Sequence, residues 1–172
     1  MASHRGLGRD SEGKNMNPDD FFLTRAIELA RIGSEAGDGG PFGALIVLDG
    51  QVIAEGWNRV VASHDPTAHA EIMAIRAACA RLGHFHLHGC ILYASSEPCP
   101  MCLSAAYWAR LSRIVFANSR AEAAAIGFCD DELYCELNRQ FSARSIAMEH
   151  RPLPGAIEPL RRWAEDPAHI CY

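Results

Sequence analysis

The sequence predicts a three-layer α/β/α sandwich around a central five-stranded mixed sheet, in one domain of residues 17–172 that follows a flexible extension of residues 1–16. Three observations point there. Two apolar runs flank Asp49-Gly50, the strongest short-range signal for a β-hairpin. Downstream, helical and strand patterns alternate from His69 to Asn118, which calls for crossover connections between strands. No repeat or linker divides the chain.

The elements follow in order. Residues 1–16, "MASHRGLGRDSEGKNM", are glycine-rich and polar and carry no period. Asn17 then stands as helix cap before Pro18, with Asp19 and Asp20 in the first turn. Phe22, Ala26, Leu29, Ala30 and Gly33 share one face of that helix. The hairpin "GALIVLDGQVIAEG" comes next, then a helix over 69–82, a buried strand "CILYAS", a helix over 100–110 and a strand "RIVFAN". A helix over 130–137, a fifth strand "SIAMEH" and a closing helix over 157–165 complete the pattern.

Composition narrows the function classes. At 172 residues the chain is large enough to bury about 70% of the surface its unfolded form exposes. A net charge of -5 leaves no broad cationic surface for a phosphate backbone, so no nucleic-acid partner is expected. No apolar run reaches the roughly 20 residues that span a bilayer, and residues 1–16 lack the apolar centre of a signal peptide, so the expected location is the cytoplasm, with no membrane partner. In that reducing compartment five of the seven cysteines read as small apolar residues; only Cys99 and Cys102 have the spacing of a metal or redox pair.

His69, Cys99 and Cys102 supply one imidazole and two thiolates. Structural zinc sites close with four protein ligands, whereas three leave a corner for water, whose pKa then falls from 15.7 toward about 7. The expected cofactor is therefore one catalytic Zn2+ per chain with water as fourth ligand. Glu71, two residues beyond His69, can reach the same pocket from the first helical turn and shuttle protons there. A lone H-x-E is more often a solvated glutamate beside an ordinary histidine, and a lone C-x-x-C can be a redox dithiol. Together with Pro98 they spell the H-x-E and P-C-x-x-C signature of zinc-dependent nucleobase deaminases. "HFHLHG" joins a helix to a strand and reads as solvated loop histidines rather than as ligands.

At these residues the sequence resembles the cytidine deaminase-like superfamily and, within it, the bacterial guanine deaminases. The resemblance runs from about Phe21 to Tyr172 through "GGPFGALIV", "EGWN", "DPTAHAEIMAIRAAC", "ILYASSEPCPMCLSAAYWAR", "IGFCDDELY" and the terminal "CY". It implies hydrolytic deamination of guanine to xanthine and ammonia, a small purine substrate and a homodimer. It also implies site residues: Phe42 and Trp108 as stacking faces, Asn58 for purine ring atoms, Asp130 for the N-H edge and Tyr172 as a lid. The backbone N-H of Ala70 or Cys99 is expected to orient the water or the leaving amine. Cys129 and Asp131 depart from the usual spelling, so either Asp130 or Asp131 can face inward. Two alternatives stay open: deamination of another base or aminated heterocycle (tRNA adenosine, cytosine, a triazine or a pterin), and a redox or zinc-binding module that uses the C-x-x-C alone.

Overall fold

The computed structural model describes residues 17–171. Helix α1 (Pro18–Glu35) is capped as expected, the Asn17 side chain accepting from the Asp19 N-H. Strands β1 (Gly43–Leu48) and β2 (Gln51–Trp57) form the hairpin. Its turn places Asp49 and Gly50 at φ 49° and 74°, the two positive values a tight primed turn demands. Then come α2 (Val60–Ser63), α3 (Ala70–Leu82), β3 (Ile91–Ser96), α4 (Pro100–Trp108), β4 (Arg113–Asn118), α5 (Arg120–Ala125), α6 (Asp130–Asn138), a 3-10 turn (Phe141–Ala143) and α7 (Glu158–Glu165).

The sheet order is β2-β1-β3-β4. β1 pairs antiparallel with both β2 and β3, while β3 and β4, joined through α4, run parallel, so the sheet is mixed. Alternation along β1 builds both outer layers. Ala44 and Ile46 point to α3 and its cluster of Ala70, Ala74, Ile75 and Ala78, whereas Leu45 and Val47 point to Phe22, Ala26 and Leu29 of α1. Both faces of β1 are dry, which accounts for its unbroken apolar run.

Glycines let the helices lie directly on the hairpin. A Cβ at Gly43 would stand 2.2 Å from the Ala26 carbonyl oxygen, and one at Gly56 would stand 2.6 Å from the Ala70 carbonyl oxygen. Helix backbone cannot retreat as a flexible side chain does, so these two contacts set how deep α1 and α3 sit. The second one matters for the site, because α3 begins immediately after His69.

The sheet has four strands among the described residues, not five. Ile146 and Met148 alternate with polar residues as a strand would, yet residues 145–150 leave β4 and follow α6 instead. The Glu136 carboxylate accepts from the Ser145 N-H at 2.9 Å. The Arg144 guanidinium bonds the Leu137 and Arg139 carbonyls and the Met148 sulfur. A strand needs its backbone groups free for a neighbour, and here hooks on the preceding helix hold the segment elsewhere. The short α2 and α5 were not expected either, although α5 opens on a full capping box, Ser119 with Glu122, that the spelling S-x-x-E announces. No helix among the described residues is long and apolar enough to cross a membrane.

Candidate functional site

Two helix starts converge at the site. His69 is the N-cap residue of α3 and Cys99 that of α4, both in extended backbone conformation, and Cys102 lies in the first turn of α4. Extended geometry at a cap turns the side chain toward the space in front of the helix. The two caps thus aim an imidazole and a thiol at one point while Cys102 reaches it from inside. All three donor atoms lie within 4.8 Å of one another, and they form the only such group of metal-binding type among the described residues.

The spacing fits a metal. His69 Nδ1 stands 3.5 Å from both Cys99 Sγ and Cys102 Sγ. A tetrahedral ion with Zn-N of about 2.05 Å and Zn-S of about 2.3 Å has N···S edges of about 3.55 Å. The Cys102 S-H, and after it His69, hold the Cys99 thiol well below the ordinary thiol range, while the Cys99 sulfur and burial push Cys102 up. Contact with Cys99 raises His69. A divalent cation bound there would displace the protons that remain on the trio.

Glu71 follows in the first turn of α3 and is buried. Burial pushes its carboxyl up to about 6, and the Cys99 charge pushes the same way. A carboxyl poised near neutrality both takes and returns a proton.

The pocket in front of this group is lined by Phe42, Asn58, His69, Glu71, Glu97, Cys99, Phe128 and Asp130. Phe42 and Phe128 meet edge to face, with ring centroids 4.7 Å apart. Asn58 is buried at the end of β2. Its Oδ1 accepts from the Gly40 N-H at 3.3 Å and the Val60 N-H at 3.2 Å, which ties the loop before Phe42 to α2. With its oxygen engaged, Asn58 offers the pocket its amide N-H groups, so it donates rather than both donating and accepting. Asp130 faces the pocket, and burial raises its carboxyl. Asp131 points away, its carboxylate 2.9 Å from Arg120 Nε.

Ala70, the first residue of α3, is buried between His69 and Glu71, and its N-H is one of the donors that a helix start leaves without an intrahelical partner. Trp108 is not brought to the pocket. It ends α4, 65% exposed, along a groove with Ile72, Ile75 and Phe85. Helical spacing explains this, since six residues beyond Cys102 the α4 side chains have turned away from the sulfur-bearing face. Tyr172 lies outside the described residues. Glu97 and Phe128 also join the lining, with signals in the sequence beside the motifs: Glu97 directly precedes Pro98, and Phe128 lies inside the block "IGFCDDELY".

Residues 16–118 match the family model of the cytidine and deoxycytidylate deaminase zinc-binding region. The chain belongs to that family. Its ligands His69, Cys99 and Cys102 form the family's zinc-binding group in this deaminase. The deaminase is 50% identical over 144 residues to the guanine deaminase of Bacillus subtilis, covering 84% of this chain and 92% of that protein. The crystal structure of the guanine deaminase from Bacillus subtilis superposes with a TM-score of 0.86 at 47% identity, covering 89% of this chain and 98% of that one. A guanine deaminase structure from Nitrosomonas europaea gives a TM-score of 0.61 at 35% identity over 75% of this chain and 77% of its own. The tRNA-specific adenosine deaminase of Aquifex aeolicus is 42% identical over 57% of this chain and 64% of its own.

Proposed function

We propose that this deaminase converts guanine to xanthine and ammonia with one zinc per chain. The observation that carries the reading is the strength and completeness of one likeness. The Bacillus subtilis enzyme matches at 50% identity over 84% of this chain and 92% of its own, whereas the tRNA enzyme matches at 42% over 57% of this chain and 64% of its own.

His69, Cys99 and Cys102 would hold the zinc, which would supply a Lewis acid able to bring a water's pKa from 15.7 toward about 7. The chain's own residues do the rest. Glu71 takes a proton from the attacking water and delivers it to the ring nitrogen beside the amino-bearing carbon. It then moves the second proton from the new hydroxyl to the departing amine, so ammonia leaves and a carbonyl remains. The N-H of Ala70 orients the oxygen. Phe42 and Phe128 present apolar surface to the flat heterocycle. The Asn58 amide donates to a ring acceptor, and the Asp130 carboxylate accepts from the N-H edge. Adenine carries its exocyclic amine on a different carbon and has no ring N-H at the matching edge, so it leaves Asp130 without a donor.

Ammonia release decides the substrate. Guanine is expected to be the best substrate in a panel with cytosine, adenine, their nucleosides and a tRNA, and a chelator is expected to abolish the signal. A tRNA or cytosine rate above that of guanine overturns the proposal.

A homodimer and a cytoplasmic location complete it. Supporting the dimer, Ile157, Leu160 and Trp163 lie on or beside α7, each 48–66% exposed, an apolar face that association would cover. Sedimentation is expected to give a species heavier than the 18.8 kDa chain at micromolar concentration; a single 18.8 kDa species removes the dimer.

A further inference from the structure

Asp130 and Asp131 are neighbours with opposite roles, and the contacts of Arg120 account for the difference. Arg120 opens α5, where its N-H donates to Glu97 Oε2 at 2.9 Å in a part-buried bond. Its side chain crosses to α6. Nε lies 2.9 Å from Asp131 Oδ1, and the guanidinium carbon stands 4.4 Å from the centre of the Tyr134 ring. The Tyr134 hydroxyl in turn donates to the Pro98 carbonyl at 3.3 Å. The loop leading into Cys99 is therefore fastened to α6 twice, from Glu97 through Arg120 and from Pro98 through Tyr134.

Consecutive helix positions do not face the same way. A cation that draws Asp131 outward fixes the rotation of α6 about its axis and leaves Asp130 turned to the pocket. Phe128, two residues earlier, meets Phe42 edge to face. We propose that Arg120 is a positioning residue for substrate recognition: by clamping Asp131 and Tyr134 it selects Asp130 as the carboxylate presented to the purine edge. This rests on the reading of Asp130 as a substrate contact.

The pair with Asp131 is partly exposed, side chains 36% and 64%, so the expected effect is moderate. Arg120→Met is expected to raise KM for guanine about three- to tenfold through loss of an exposed ion pair and a cation-π contact, with kcat and zinc content unchanged. Arg120→Lys, which keeps the charge, restores part of the loss, and Asp131→Asn moves KM in the same direction. Asp130→Asn raises KM by about tenfold or more, since it weakens a hydrogen bond to a charged acceptor. In that background Arg120→Met adds nothing, because the group it positions is gone. A raised KM in Asp130→Asn beside an unchanged KM in Arg120→Met overturns the role of Arg120 alone. So does an Arg120→Met effect that persists at full size in the Asp130→Asn background. An unchanged KM in Asp130→Asn overturns the reading of Asp130 and this inference with it.

Discussion

Glu71→Gln is expected to lower kcat for guanine about 10²–10⁴-fold while zinc stays at one per chain. Gln keeps the size and the polar end of the side chain but cannot take a proton from water at neutral pH. Glu71 is not among the three metal donors, so the ion has no reason to leave. The substitution also replaces a carboxyl whose ionised form burial disfavours, as its rise to about 6 records. Thermal stability should therefore hold or increase, which separates a chemical loss from unfolding. Parallel measurement of turnover, metal content and Tm checks this. Turnover near that of the parent in a folded, zinc-loaded variant would show that the proton travels by another route.

The second large effect is expected at Cys102. Its side chain is fully buried, and Cys102→Ala takes away one of the three grouped protein donors. Losing an outer-shell partner already costs about 10- to 100-fold in metal affinity, and a directly bound thiolate costs more. Zinc should be absent after gel filtration, and ammonia release should be undetectable. Removing the metal from the parent chain with a chelator should give the same inactive state, reversible by added zinc. Retention of one zinc by Cys102→Ala, or full activity of metal-free parent, contradicts the assignment.

How much of this was legible in the sequence depends on the range of the forces involved. The first helix start and the hairpin turn were readable because their signals are local: Asn17 with Pro18, and Asp49-Gly50, act over two or three residues. The metal donors were readable because coordination chemistry admits few side chains, and His69, Cys99 and Cys102 carry a fixed spacing. The fifth strand failed because Ile146 and Met148 report only a period. Whether a strand pairs depends on a partner, and Arg144 and Glu136 commit that backbone to α6. Trp108 failed for a similar reason: an aromatic near the motif looks like a stacking face until the turn of α4 carries it away. Sequence could not choose between Asp130 and Asp131, since the contacts that part them, Asp131 on Arg120 and Asp130 in the pocket lining, form only in the fold. The role of Asn58 was half legible. Its residue type was evident, but the use of its oxygen on Gly40 and Val60 appears only once the loop before Phe42 is folded beside it.

The pocket is assembled from three stretches of chain. The metal donors and Glu71 fall between His69 and Cys102, Phe42 and Asn58 flank the hairpin, and Phe128 and Asp130 arrive from beyond Asn118, where β4 ends. The donor run is thus set apart along the chain from both walls of the cavity. Grafting a different downstream wall would leave the donors and the hairpin side of the cavity in place.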